Sequence, residues 1–293
     1  MSRLDFAINL LTHGVFFTFS DAHHFFYMLK EILGTQANTH YQLVSQVFWG
    51  LLACEIQLQK SRESTELTTI RKIKEMIRTR FSESPMGMLH HTSSLLHWSL
   101  VFSFTATHTN GMFAALLADR PNFGDAYLNV IELRSKHLMR HMVAAFLLGR
   151  SNYQPRPQAS NSRVKLSLLQ TNALETIALP MIMREKNAYS DSFTQFTEAL
   201  LEDFEFEEAI ALADKMKQEA SQDILLRPHA SEIRRQALLY VYEVQARLTR
   251  QPSDLNAYCQ EHNVAYPEIA LPEVEQNMGL QGLVWNTTDG ATI

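Results

Sequence analysis

Cysteine and glycine are scarce in this chain. Among 293 residues only Cys54 and Cys259 are cysteines. They lie far apart and in no metal-ligand spacing, which suits a reducing compartment and gives no zinc motif. Ten glycines, mostly at predicted helix ends, leave no phosphate-binding glycine loop and no Gly-x-Ser-x-Gly elbow. Positive charge is missing from the C-terminal end. Residues 251–293 hold six acids (Asp254, Glu261, Glu268, Glu273, Glu275, Asp289) and no Lys or Arg, so they account for the chain's net charge of −5. Such a module is poorly suited to gripping a phosphate backbone and better suited to gripping protein. Long hydrophobic runs are lacking as well. The apolar stretch 6–19 is broken by Asn9, Thr12, His13 and Gly14, and Asp5 stands where a secretory signal needs a base. The uncharged run 85–118 carries four histidines and many Ser and Thr, so it reads as buried helices rather than a membrane span. A cytoplasmic location is expected.

What fills the chain is helix after helix. Apolar residues recur at three-four spacing up to about residue 250, and 46% of the chain is apolar, ample for a core. The spacing predicts helices over 3–13, then from a cap at Ser20 to Gly34, over 44–56, over 67–77 with Arg71, Lys72 and Lys74 outward, and over 88–105. A short helix is expected at 111–119 and one long helix over 127–148. Residues 164–185 follow, kinked at Pro180, then a hairpin of 192–203 with 206–220, and a last long helix over 229–248. Hairpins of this length predict an all-α solenoid of tetratricopeptide-like (TPR-like) repeats. The C-terminal stretch changes character. Two short helices, 254–262 and 272–278, precede Leu283-Val284-Trp285 and Ala291-Thr292-Ile293 around a Thr-Thr-Asp-Gly turn, the outline of a winged helix. The expected organisation is a repeat solenoid over 1–149, a basic linker rich in Pro, Ser and Asn over 150–163, helical hairpins over 164–250 and a truncated winged helix over 251–293.

Chemistry-bearing constellations are weak. His137 and His141 stand one helical turn apart. They lack the glutamate that follows the first histidine of a zinc protease, and Lys136 and Arg140 beside them repel cations. The pairs His23-His24 and His90-His91 read as helix-surface residues. The acids Glu198, Glu202, Asp203, Glu205, Glu207 and Glu208 read as a solvated helical hairpin, not as a dry catalytic pair. No enzyme, cofactor or metal is expected. From residue 133 to 174 there are seven bases (Arg134, Lys136, Arg140, Arg150, Arg156, Arg163, Lys165) and no acid. Arg150, Arg156, Arg163 and Lys165 are candidate contacts to RNA or an acidic partner, against the plain alternative of a solvated loop. In the acidic terminal module, Leu283, Val284, Trp285 and Ile293 are the candidate protein-binding edge.

Several stretches carry a family resemblance. They are Val47-Phe48-Trp49-Gly50 with Leu52-Ala53, Glu55-Ile56 and Gln59; Leu95-Leu96-His97-Trp98-Ser99-Leu100 with Phe102 and Phe104; Tyr127-Leu128-Asn129 with Ile131 and 137–140; and Phe196-Thr197-Glu198 with Leu200, Phe204-Glu205-Phe206 and Ala209, continuing to Leu238-Tyr240-Val241-Tyr242. In this order and spacing they resemble the e-subunit family of eukaryotic translation initiation factor 3, over most of residues 4–250. The resemblance implies a PCI protein, a right-handed helical solenoid ending in a winged helix. It implies a scaffold role beside other subunits of that factor (c, d and l) on the small (40S) ribosomal subunit. Against the family pattern the chain is expected to be divergent, to begin part-way along the solenoid and to stop before the helix that usually follows the winged helix. A PCI subunit of the proteasome lid or signalosome, and an RNA-binding PCI module, are the alternative readings.

Overall fold

A computed structural model describes residues 18–33, 41–58, 68–81, 83–105, 113, 117, 123–150, 173–249 and 255–263. Every regular element among them is helical, so the all-α helical-repeat class read from the sequence holds. The predicted winged-helix hairpin lies outside the described residues. The chain divides into two compact units, Met1–Thr109 and Asn110–Ile293.

The N-terminal unit contains α1 (Phe19–Leu33), α2 (Tyr41–Gln57), α3 (Thr68–Arg80) and α4 (Pro85–Thr105). α1 starts earlier than the sequence suggests. Thr18, not Ser20, caps it: its Oγ1 accepts the Asp21 N–H at 3.2 Å and donates to the Asp21 carboxylate at 2.7 Å. Phe25 and Leu29 of α1 bury against Val44, Val47 and Leu51 of α2, with Phe26, Phe48 and Met76 packed alongside. α3 turns Ile70, Ile73 and Ile77 inward. α4 carries no Asp, Glu, Lys or Arg, and its buried Ser103 Oγ donates to the Ser99 carbonyl one turn back at 2.7 Å.

Gly50 allows α1 and α2 their close approach. A Cβ there would stand 2.5 Å from the Phe26 ring. Gly50→Ala gains about 1 kcal/mol of helix propensity but forces the ring aside, at a typical overpacking cost of about 1–3 kcal/mol. The expected net loss is about 1 kcal/mol, seen as a lower denaturant midpoint at unchanged slope. In a Phe26→Leu background the same substitution should be neutral or stabilising.

The C-terminal unit contains α5 (Asp125–Leu133), a 3₁₀ turn (Lys136–Leu138), α6 (Met139–Arg150), a π turn (Leu174–Ala178) running into α7 (Leu179–Glu185), α8 (Ser192–Leu201), α9 (Phe206–Gln222), a 3₁₀ turn (Arg227–His229), α10 (Ala230–Thr249) and α11 (Leu255–Glu261). The single long helix expected over 127–148 is two helices. After α5 the Arg134 and Ser135 amides both turn back to the Val130 carbonyl at 3.0 Å, and Ser135 leaves helical space at φ −130°, ψ 52°. Where the sequence predicts a kink at Pro180, the chain forms a π turn over Leu174–Ala178, and Pro180 stands in the first turn of α7, where its missing amide leaves no intrahelical bond unmade. α6 is the heart of the unit, buried at every position from 141 to 149. It packs against α8, α10 and the π turn, while α8 with α9 and α9 with α10 form successive antiparallel hairpins.

Candidate functional site

The polar side chains that this fold brings together converge on one end of α6. Arg140 and His141 are adjacent in sequence and reach different elements. Arg140 Nε donates to Asp191 Oδ2 at 2.9 Å, and its Nη2 lies 3.2 Å from Glu219 Oε2 of α9. Its guanidinium also stands 5.9 Å from the centre of the Phe193 ring. His141 Nε2 lies 3.1 Å from Asp223 Oδ2. Asp223 closes α9, and its Oδ1 accepts the Leu225 and Leu226 amides at 2.8 and 3.2 Å, shaping the turn into α10.

Asp191 is the N-cap of α8. Its Oδ1 accepts the Phe193 and Thr194 amides at 3.1 and 2.9 Å, while Thr194 Oγ1 accepts the Asp191 amide at 2.9 Å, a reciprocal capping box. Its Oδ2 accepts both from Arg140 and from the Tyr189 hydroxyl, the latter at 2.8 Å. Burial opposes the charge on Arg140, but the hydrogen bond and field of Asp191, with Glu219 beyond, outweigh it and raise the guanidinium's pKa. Burial, then the negative charge of Asp191, holds the Tyr189 phenol well above its ordinary range. At the flanks Lys136 pairs with Glu185, and Arg184 grips Glu132 through Nε at 2.8 Å and Nη2 at 3.2 Å.

Burial pushes the His141 imidazole below its ordinary value of 6.5, with Arg140 and His137 adding to the shift and Asp223 opposing it. The unfolded chain therefore takes up a proton near the ordinary value and the folded chain only at lower pH. The stability held by neutral His141 is complete above that value and is lost as pH falls through it toward the folded pKa. Urea midpoints taken at about pH 7.5 and pH 5 should fall further for the native chain than for His141→Gln.

These contacts tie helices together. Arg140, Lys136, Arg184 and Lys186 each have a carboxylate within salt-bridge reach. The Cys259 thiol is pushed up by burial, away from thiolate character. His137 is exposed while His141 is turned to Asp223, and among the described residues no group of three or more His, Cys, Asp or Glu is arranged to hold a metal. In the other unit His23 lies 3.9 Å from Glu55, which accepts the Thr69 hydroxyl at 2.9 Å, and His90 is exposed. No described helix is long and apolar enough to cross a membrane.

Of the candidate site residues, Leu283, Val284, Trp285, Ile293, Arg156, Arg163 and Lys165 lie outside the described residues, and of Arg150 only the backbone is described, closing α6. Two other members of the basic run, Lys136 and Arg140, are matched to acids of their own unit. The α6 junction had one legible signal, the cap pattern Asp191-Ser192-Phe193-Thr194.

Comparison with known proteins bears directly on the resemblance. The chain is 25% identical over 265 residues to the E subunit of eukaryotic translation initiation factor 3 from Neurospora crassa, an alignment covering 89% of this chain and 50% of that protein. The chain resembles the E subunit of initiation factor 3. It is also 31% identical over 185 residues to the same factor's E subunit from Aspergillus terreus, covering 60% of this chain and 37% of the relative. To that of Emericella nidulans it is 31% identical over 166 residues, 57% of this chain and 33% of the relative. At these identities the similarity is distant, and the chain spans half or less of the length of these relatives. No family model matches it.

Proposed function

We propose that the chain is a non-enzymatic scaffold component of eukaryotic translation initiation factor 3, cytoplasmic, assembling with other subunits of that factor (by resemblance c, d and l) on the small ribosomal subunit during initiation. The observation that carries this reading is similarity to the E subunit along 89% of the chain. The helical hairpins of both units and ion pairs spent on joining helices support it, since stacked hairpins offer broad faces to neighbouring proteins. On this reading Leu283, Val284, Trp285 and Ile293 form the edge that pairs with a neighbour, and Arg150, Arg156, Arg163 and Lys165 touch RNA or an acidic partner.

The test is to pull the tagged chain from cytosol, identify its partners by mass spectrometry and sediment the extract through a sucrose gradient. Initiation factor 3 subunits and small ribosomal subunits should accompany it. Proteasome-lid or signalosome subunits, or RNA without protein, would replace this reading by one of the alternatives. Trp285→Ala should loosen the association, at a cost of roughly 2 kcal/mol for a buried interface aromatic, and deletion of 251–293 should abolish it. Retention of the deleted chain at native yield would overturn the assignment of the edge.

A further inference from the structure

We propose that Ser84 is a phosphorylation site, the acceptor for a proline-directed protein kinase, and that its phosphate rests on the start of α4. The site lies in the N-terminal unit, and the inference does not rest on the scaffold reading.

Of the nine prolines in the chain, only Pro85 follows a serine or threonine. A kinase pocket that reads Ser-Pro takes an extended backbone with no amide hydrogen after the acceptor. A residue ahead of proline already favours that backbone, and proline has no such hydrogen. The pair stands at the turn between α3 and α4, where Glu83, Ser84, Pro85 and Met86 are all exposed, Met86 by 71%. No Lys or Arg follows within α4, so the kinase is one that reads proline rather than a downstream base. Little holds the segment closed. The Ser84 amide donates to the Phe81 carbonyl at 3.0 Å, the Ser84 carbonyl accepts the Met88 amide at 2.9 Å, and the Ser84 Oγ accepts the Gly87 amide at a long 3.3 Å. Glycine is a poor helix former, and helix ends fray, so this first turn can open into a kinase cleft. In the transfer the Ser84 Oγ attacks the γ-phosphorus of ATP, its proton passes to the kinase's base and the bond to the leaving ADP oxygen breaks; nothing is oxidised or reduced. When the turn recloses, the phosphate stands at the head of a helix with no Asp or Glu in its first turn. A Cβ at Gly87 would lie 3.0 Å from Ser84 Oγ, so the bare glycine leaves room for phosphate oxygens beside its amide. Arg78 and Arg80 have partners of their own, and the helix start, not these cations, is what favours the added charge. Glu83 beside it is exposed, so water and salt screen its repulsion.

The experiment uses the full chain. Recovered from eukaryotic cells with phosphatases inhibited, it should carry phosphate on Ser84, mapped by tandem mass spectrometry. In vitro, a proline-directed kinase of the mitogen-activated class with ATP should modify the folded chain on Ser84 at a rate comparable to that of the free peptide 78–90. Pro85→Ala keeps the hydroxyl and a good helix former at the first position of α4. It should be modified about tenfold or more slowly, since the proline pocket would meet an amide that it cannot pair. The second ionisation of phosphoserine lies at about pH 6. Followed by phosphorus NMR, it should fall roughly 0.2–0.7 lower in the folded chain than in the phosphorylated peptide, the effect of one helix end on a dianion. Absence of the phosphate from the cellular chain overturns the proposal, as does a folded chain that stays inert under conditions that modify the peptide, or modification of Pro85→Ala at the native rate. An identical ionisation in chain and peptide overturns the seat on α4.

Discussion

Asp191→Ala should lower the stability of the C-terminal unit by about 3 kcal/mol, the sum of a lost helix cap and a lost charge-assisted contact. A single carboxylate, only 7% exposed, accepts from the Phe193 and Thr194 amides, the Tyr189 hydroxyl and the Arg140 guanidinium. Loss of an N-cap costs about 1 kcal/mol. Hydrogen bonds to charged partners are worth about 1.5–3 kcal/mol, and the lower part of that range applies because the Arg140 side chain stays 27% exposed. Arg140 would keep Glu219 but lose its better-buried partner. In a unit of this size the melting temperature should fall by roughly 6–12 °C. Asp191→Asn separates the two contributions. Its carbonyl can still cap α8, while its amide would face the guanidinium donor to donor, so about half the loss should remain. An Asn variant as weak as Ala would mean the cap contributes nothing. An Ala variant within about 0.5 kcal/mol of the native chain would remove the α6 junction from any account of what holds the unit.

The helices were legible where one apolar stripe dominates. Ile70, Ile73 and Ile77 mark α3 without ambiguity, and every one of them is buried. The break between α5 and α6 was not legible, because no Gly or Pro stands near Ser135; the chain departs from the helix there through paired amides on one carbonyl, a feature of backbone and packing rather than of residue type. Charge was legible as composition and misleading as location. Arg140 reads as part of a basic run because its neighbours in sequence are bases, whereas Asp191, 51 residues on, neutralises it. A run of charge along the sequence therefore does not by itself report a charged surface, because the acids that answer it can come from a distant element. The candidate edge around Trp285 was argued from alternation and turn chemistry, and it lies outside the described residues, so its test is biochemical.

Arg247→Ala should cost about 2–3 kcal/mol, because it leaves a buried carboxylate without its cation. Glu243 lies on α10 with a side chain 1% exposed, and Arg247 one turn on pairs with it. Arg247 Nη1 also reaches Glu175 Oε1 of the π turn at 3.2 Å, and the Tyr240 hydroxyl donates to the same oxygen at 3.0 Å. The group therefore joins α10 to the segment ahead of α7 as well as balancing Glu243. Breaking a buried pair from one side typically costs about 3–5 kcal/mol, and Arg247 at 34% exposure admits enough water to reduce that. The double variant Glu243→Gln/Arg247→Met removes both charges and keeps the volume. It should recover most of the loss, since a buried ion pair replaced whole by uncharged groups of similar size is often neutral. A double variant no more stable than Arg247→Ala would mean that the link to Glu175, rather than the charge of Glu243, decides the cost. The two contributions are separated by Glu175→Gln, which keeps the Tyr240 acceptor and removes only the second charge from Arg247.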